Sequence, residues 1–568
     1  MSHARCSAIT RASRTLLLLC ILAFASLAFA QTPKLSAAKL AQEIDKILAG
    51  IYPPNEPGAV VIVTKNDQPL FRKAYGMADL ELGVKLEPDM IFRIGSITKQ
   101  FTAVAILMLA EQGKLDLNDE LTKFLPDFPT HNHKITVEQL LTHTSGIKSY
   151  TGMSEWMPMM RKDLTLQELI DIFKNQPPDF APDERWDYNN SAYVLLGAII
   201  EKISGASYEE FIQKNIFDAL GMKHSFYGSA SRVIARRIPG YEKGNNGYQN
   251  AAYLSMTQPY AAGSLLSSVD DLALWDAALY TNKLLKQASL QRAWTSYRLK
   301  SDEATNYGYG WAIGEYEGHR LIMHGGGING FITNAIRLPN EHIYVAVLTN
   351  CEGREPSPME VSLRIAALAL NKPMREPAAI ALPENALEAY VGVYQIDEKR
   401  ERVITRMAAQ LYSQASGGTK KEIFPMSETV FFFKDDNSVR FHFKKDAAGK
   451  IIEMDARRYY GPREIAKKTD KPIPTERQTI SVDAASYAQY AGEYELAPGF
   501  TLTITHEGAQ LMAQATGQPK FEIFPEEEHK FFLKVVDAQI EFIKETSGKI
   551  ASLILHQGGR DMPGKRIK

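Results

Sequence analysis

The last third of the sequence repeats itself once, at an offset of 100 residues. Tyr390-Val391-Gly392-Val393-Tyr394 matches Tyr490-Ala491-Gly492-Glu493-Tyr494, Gln410-Leu411 matches Gln510-Leu511, and Gln414 matches Gln514. Ile423-Phe424-Pro425 matches Ile523-Phe524-Pro525, Phe431-Phe432 matches Phe531-Phe532, and Gly449-Lys450-Ile451 matches Gly548-Lys549-Ile550 with one residue lost. Two copies are too few for a solenoid, whose units bury their faces only by stacking on neighbours. Each copy must therefore close a core of its own. Val439-Arg440-Phe441-His442-Phe443 and Thr501-Leu502-Thr503-Ile504-Thr505 alternate with the period of a half-buried strand. The reading is two small antiparallel β-barrels of about ninety residues each, at 383–470 and 478–568, joined near Lys468-Thr469-Asp470-Lys471-Pro472. In the second copy Glu526-Glu527-Glu528 replaces Met426-Ser427-Glu428, which reads as a solvated hairpin.

The 568 residues exceed what one core can organise, and the 31–375 segment reads as a separate α+β domain. Two apolar runs between Ala59 and Tyr75 flank Asn66-Asp67 as a hairpin, helical patterns and loops follow, and strand patterns return at 320–324, 331–338 and 342–349 before a helix at 359–370. Strands at both ends with helices between predict an antiparallel sheet built from both ends of the domain. Prolines 373 and 383 mark its exit.

Residues 1–30 carry Arg5, Arg11 and Arg14, no acid, an apolar run from Leu16, and Ala28-Phe29-Ala30 before Gln31, the pattern of a cleaved secretory signal. The run breaks short of the roughly 20 apolar residues that span a bilayer, and no second candidate follows. A periplasmic or secreted protein is expected. Removing those three arginines from 65 basic against 66 acidic residues leaves a net charge of −4, which offers no footprint for nucleic acid. Cys351 alone then remains, so no internal disulfide forms. His131-Asn132-His133 lies in a polar loop without a third ligand, and neither metal nor cofactor is expected.

The chemistry centres on Ser96-Ile97-Thr98-Lys99, which places a hydroxyl and an amine one turn apart at the mouth of an apolar helix, Thr98 to Gln112. Ser36-Ala37-Ala38-Lys39 matches the same pattern, but Leu40, Ile44 and Leu48 follow at helical spacing, so Ser36 reads as an N-cap. Tyr188-Asn189-Asn190 precedes a second apolar helix, Tyr193 to Ser204, stopped by Gly205; Tyr248-Gln249-Asn250 and Tyr280-Thr281-Asn282 lack such a helix. His324-Gly325-Gly326-Gly327 ends a strand, where glycines let a substrate backbone lie alongside. Gly325, Gly327 and Gly330 also satisfy the dinucleotide fingerprint, but a strand pattern follows where that motif needs a helix.

Ser96-x-x-Lys99, Tyr188-x-Asn190 and His324-x-Gly326, 92 and 136 residues apart, resemble the three motifs of the penicillin-recognising serine hydrolases, which include class C β-lactamases, DD-peptidases, D-aminopeptidases and related esterases. The segments 140–146, 262–267 and 307–311 are similar to that family's connecting text, and the resemblance covers roughly residues 40 to 370. It implies a β-lactamase/transpeptidase-like domain, an antiparallel sheet flanked by helices with a helical subdomain, ahead of the two barrels. It also implies that Ser96 is acylated, that Lys99 and Tyr188 share proton handling, and that Asn190 orients substrate and lysine. The backbone N–H groups of Ser96 and Gly327 would form the oxyanion hole, with Gly325 and Gly326 lining the substrate.

His324 stands where class C β-lactamases carry a lysine. Histidine, with an ordinary pKa near 6.5, is mostly neutral at pH 7 and weakens the standing charge for a β-lactam carboxylate. Histidine here resembles some DD-peptidases and the D-aminopeptidases, and the latter are also similar in carrying two barrels. The expected activity is hydrolysis of amide bonds in peptides containing D-residues, of D-aminopeptidase or DD-carboxypeptidase type. A β-lactamase or carboxylesterase of the same family, or a non-catalytic binding homologue, are the alternatives. Expected partners are small peptide, amide or ester substrates, with the oligomeric state open.

Overall fold

Helix α1 spans Ala37–Ile51 and begins where Ser36, in extended conformation, accepts the Lys39 N–H at 3.2 Å. The first Ser-x-x-Lys match is thus a helix start. Strands β1, Ala59–Lys65, and β2, Gln68–Tyr75, form a hairpin whose two connecting residues, Asn66 and Asp67, both adopt positive φ, as such tight turns require. These coordinates are a computed structural model that describes residues 35–568 except 154, 245, 375–376, 398–399, 435–438, 459–463, 475–476, 478, 498–499, 509, 517, 546 and 558–559. The signal segment expected at 1–30 lies outside the described residues.

Further along the chain come helix α2, Thr98–Glu111, helix α3, Asn190–Ser204, and strands β3, Ala312–Tyr316, β4, His319–Ile328, β5, Phe331–Leu338, and β6, Ile343–Thr349. Helix α4, Pro358–Ala369, closes the domain. The six strands form one antiparallel sheet in the order β3-β4-β5-β6-β1-β2. Ala59 pairs with Thr349, so the sheet is built from both ends of the domain.

Period-two alternation divides this sheet between two cores. Val61, Val63, Val345 and Val347 face α1 and α4, against Ile44, Leu48, Val361 and Ile365. Val60, Ile62, Ala346 and Leu348 face the other way, into the core that holds α2 and α3. A sheet covered on both faces reads as nearly continuous apolar runs, as β1 and β6 do. Helix α2 is the centre of the second core and is buried all round as far as Leu107, after which Met108 and Ala110 are partly exposed and Glu111 exposed. Among the described residues no helix is long and apolar enough to cross a membrane.

Beyond this domain the chain forms two closed antiparallel barrels of eight strands each, Gly392–Lys468 and Gly492–Arg566. The residues the two repeats share are the ones that build them. Tyr394 and Tyr494 donate to the carbonyls of Tyr390 and Tyr490 at 2.7 and 2.8 Å, and Tyr390 and Tyr490 donate in turn to the carbonyls of Glu428 and Glu528. Gln410 and Gln510 span to the carbonyls of Ile423 and Ile523 at 2.8 and 3.0 Å. Both interiors are filled by aromatic and aliphatic side chains, as expected for eight strands. Lys468 still pairs with Tyr394, and Thr469 N–H donates to Val393, so the joint begins later than its polar sequence implies. Glu526 is ion-paired to Arg477 at 3.1 Å.

Candidate active site

Two glycines bring the nucleophile turn onto β4. Gly95, at φ +51, opens the short helical turn Gly95–Ile97, and a Cβ there would stand 3.0 Å from the Gly327 nitrogen. A Cβ on Gly326 would lie 2.0 Å from the Ile94 carbonyl oxygen. Backbone therefore packs on backbone, with Thr333 Oγ1 donating to that same carbonyl at 3.0 Å. Gly327 is different: the nearest atom to its missing Cβ is Ile332 Cδ1 at 3.6 Å, so its Cα is not pressed against another backbone. The sequence reading ends the strand before the glycines, whereas β4 runs through them to Ile328. They are held by β5, with Gly325 opposite Asn334 and Gly327 opposite Ile332. On the other edge β3 stops at the Ala312–Met323 pair, so among the described residues the glycine run has no strand partner there.

Lys99 is fully buried at the start of α2. Its Nζ lies 3.1 Å from Ser96 Oγ, 2.8 Å from Asn190 Oδ1 and 2.9 Å from the Ala262 carbonyl oxygen. An amide oxygen and a backbone carbonyl can only accept, so they take two N–H groups. In the neutral amine the remaining lone pair faces the serine hydroxyl. Burial pulls the lysine pKa well below its ordinary value and so favours that amine. The rings of Tyr188 and Tyr193 stand 4.7 and 5.3 Å from Nζ.

Asn190 was expected just ahead of α3 and is its first residue, because Asn189 is the N-cap and accepts the Ala192 N–H at 2.9 Å. Asn190 Nδ2 donates to Thr151 Oγ1 at 3.0 Å, which fixes its oxygen toward Lys99. Tyr188 hangs over the same centre. Its hydroxyl is buried without a completed hydrogen bond, and Ser96 is the neighbour that offsets the upward push of burial on its pKa. It is a phenol, equipped to give a proton.

His324 is 6% exposed. Nδ1 lies 2.6 Å from the Gly325 carbonyl oxygen, an acceptor, so the proton sits on Nδ1 and Nε2 accepts from the Tyr307 hydroxyl at 2.9 Å. Burial, and then the charge of Lys99, push its pKa down to about 3. It presents no positive charge.

Several groups at this centre have roles that the sequence pattern does not assign. His143, in the 140–146 segment, is buried at φ +61, accepts the Asn189 N–H on Nδ1 at 3.1 Å, and packs its ring 4.5 Å from that of Tyr188 and 4.8 Å from that of Tyr307. Ser149 Oγ receives the Asn190 N–H at 3.2 Å. These partners meet only through folding. The two other Tyr-x-Asn matches have structural work elsewhere: the Tyr248 hydroxyl bonds Glu56 and Arg354, and the Arg337 guanidinium lies 4.3 Å from the Tyr280 ring. Among the described residues no group of three or more His, Cys, Asp or Glu side chains is placed to hold a metal.

A serine with a buried amine and a phenol at its flank can carry out acyl transfer. Comparison with known proteins agrees. A family model described as beta-lactamase matches residues 44–370, and one described as a domain of unknown function (DUF3471) matches 476–566, the second barrel. Penicillin-binding protein 4* of Bacillus subtilis (strain 168) is 30% identical over 421 residues, covering 69% of this chain and 91% of its own. The octameric penicillin-binding protein homologue from Pyrococcus abyssi shares the fold at a TM-score of 0.52 and 27% identity, covering 76% of this chain and 100% of its own. The penicillin binding protein from Bacillus halodurans does so at 0.50 and 26%, covering 59% and 99%.

Proposed function

The chain belongs to the beta-lactamase family and is a serine hydrolase of that superfamily, and from this premise we propose that it cleaves amide bonds in peptides containing D-residues, outside the cytoplasm. The observation that carries the reading is the unpartnered glycine edge of β4 beside Ser96. An extended peptide backbone adds to such an edge as a strand, whereas a small ester has no use for it. His324 supports an amide substrate over a β-lactam, because a neutral imidazole held by Tyr307 and Gly325 offers no cation to a β-lactam carboxylate. The D-residue preference rests on the His-x-Gly motif and the double barrel. Export rests on the composition of residues 1–30.

In this mechanism Ser96 Oγ attacks the scissile carbonyl while the Lys99 amine takes its proton. The oxyanion is received by the N–H groups of Ser96 and Gly327, each typically worth about 2.7–4 kcal/mol. Tyr188 gives a proton to the leaving amine and recovers one through Lys99. Water, activated by the same pair, then frees the acyl group from Ser96.

Initial rates on D- and L-aminoacyl p-nitroanilides, muropeptide fragments, p-nitrophenyl acetate and nitrocefin test this, with mass spectrometry locating the acyl group. Turnover of D-residue amides through acylated Ser96 is expected. Activity confined to esters would overturn it.

A further inference from the structure

Arg93 lies three residues before Ser96, in the short strand Phe92–Arg93. Its guanidinium stands 5.8 Å from the Phe331 ring, the first residue after the turn that ends the glycine run. Among the described residues it makes no hydrogen bond and no ion pair, and burial and the nearby Arg237 both weigh against its charge. The remaining group acting on it is Tyr253, not a carboxylate. Tyr253 is 38% exposed and carries a second guanidinium, that of Arg161, 5.5 Å from its ring. Arg161 also lacks an ion pair among the described residues, and Arg237 reaches only the Ser229 carbonyl, at 2.6 Å. The carboxylate on the neighbouring turn, Glu352, is held by the Gly330 N–H.

The Arg93 guanidinium, largely buried beside Arg237 and Tyr253 with no acid to pair it, is costly unless an anion joins it, and the exposed Arg161 over the same tyrosine adds to the positive charge an anion would meet. A general attraction for anions is not the reason, since the chain has a net charge of −1. The cluster is fixed to the active site by Asn329, whose Nδ2 donates to the Ala252 carbonyl at 2.9 Å, next to Tyr253.

Its position along β4 says which part of a substrate it would meet. One end of the glycine run is His324, whose ring is 6.1 Å from that of Tyr188, the proton donor for the leaving group. Gly327 follows, and Phe331 with Arg93 lies beyond the far end. A backbone laid along this edge with its carbonyl at Gly327 sends the leaving group toward His324 and the acyl portion toward Arg93.

We propose that Arg93, with Arg161 and Arg237, forms a subsite for a carboxylate on the acyl side of the substrate, so that the enzyme selects acidic acyl donors. This deepens the reading of a serine amide hydrolase and rests on it for the direction of the chain. A free ammonium at the same place is disfavoured, so D-aminoacyl anilides are expected to turn over more slowly than their N-succinyl counterparts.

The test compares N-succinyl- and N-acetyl-D-alanine p-nitroanilide, which differ on the acyl side by one carboxylate and its stem. The succinyl substrate is expected to have a kcat/KM at least tenfold higher, a ratio that falls with added salt, drops toward one in Arg93→Gln and recovers in part in Arg93→Lys. The ratio cancels any loss of active enzyme through misfolding. In parallel, calorimetry on the full-length Ser96→Ala protein measures binding of N-succinyl- and N-acetyl-D-alaninamide, with tighter succinyl binding expected and lost when Arg93→Gln is added. Equal kcat/KM for the two anilides, or a preference that survives Arg93→Gln, overturns the subsite and leaves the hydrolase standing. Arg93-dependent binding without turnover of either anilide upholds the subsite and removes the amide-hydrolase reading instead.

Discussion

At the scale of the residue, the site is governed by which buried groups are neutral. The Lys99 amine can accept the serine proton and its ammonium cannot. The acylation rate with p-nitrophenyl acetate is therefore expected to climb with pH as Lys99 loses its proton, and to level off well below the pH at which an ordinary lysine titrates. Lys99→Arg, which stays charged, is expected to lower that rate by about 10²–10⁴, read as loss of the p-nitrophenol burst. His324 carries the opposite lesson. Unfolded, it binds a proton near pH 6.5, and folded only near 3. Acidification thus favours the unfolded chain: stability is intact above about pH 6.5 and falls below it, by up to about 1.4 kcal/mol per pH unit for each histidine so held. His143, depressed in the same sense by burial, adds to the slope. Urea midpoints between pH 7.5 and 4.5 check this, and His324→Gln is expected to flatten the dependence. Ser96, Lys99 and Asn190 were legible because local helix geometry and cap chemistry leave a pattern. His143 and Ala262 were legible only as members of the segments 140–146 and 262–267, and Arg93 not at all, because a ring contact, a backbone carbonyl and an unpaired guanidinium are made by tertiary packing.

At the scale of the element, β4 and the turn before α2 act as one unit, since Gly326 and Gly95 let two backbones touch. Gly326→Ala would force a methyl 2.0 Å from the Ile94 oxygen and 2.5 Å from Thr333 Oγ1, so both thermal stability and ester hydrolysis are expected to fall together. Gly327→Ala meets only Ile332 Cδ1 at 3.6 Å and is expected to keep its melting temperature while losing kcat/KM on peptide amides. Thermal melts beside the two assays separate these outcomes. Element types were readable from periodicity and caps, as at Ser36 and the 66–67 turn. The continuation of β4 through three glycines was not, because strand propensity predicts a break there and the hydrogen bonds to β5 override it.

At the scale of the whole molecule, the described residues divide among four hydrophobic cores, two about the sheet and one in each barrel. The repeat was legible because the shared tyrosines and glutamines each make a bond the barrel needs, and those bonds recur at the same offset. Deleting residues 383–568 is expected to alter substrate range more than acylation by a small ester, checked on p-nitrophenyl acetate and a panel of D-peptides; equal loss of both would contradict it. The sheet order has a consequence in time. Gly58 donates to Asn350 across 292 residues, and β1 finds β6 only when nearly the whole domain exists. A growing chain cannot complete that sheet until residue 349 has left the ribosome, while the barrels, pairing each strand with the next, can form as they emerge. The serine is thus framed late in synthesis, and a translation product truncated before residue 320 lacks the glycine strand that packs against its turn.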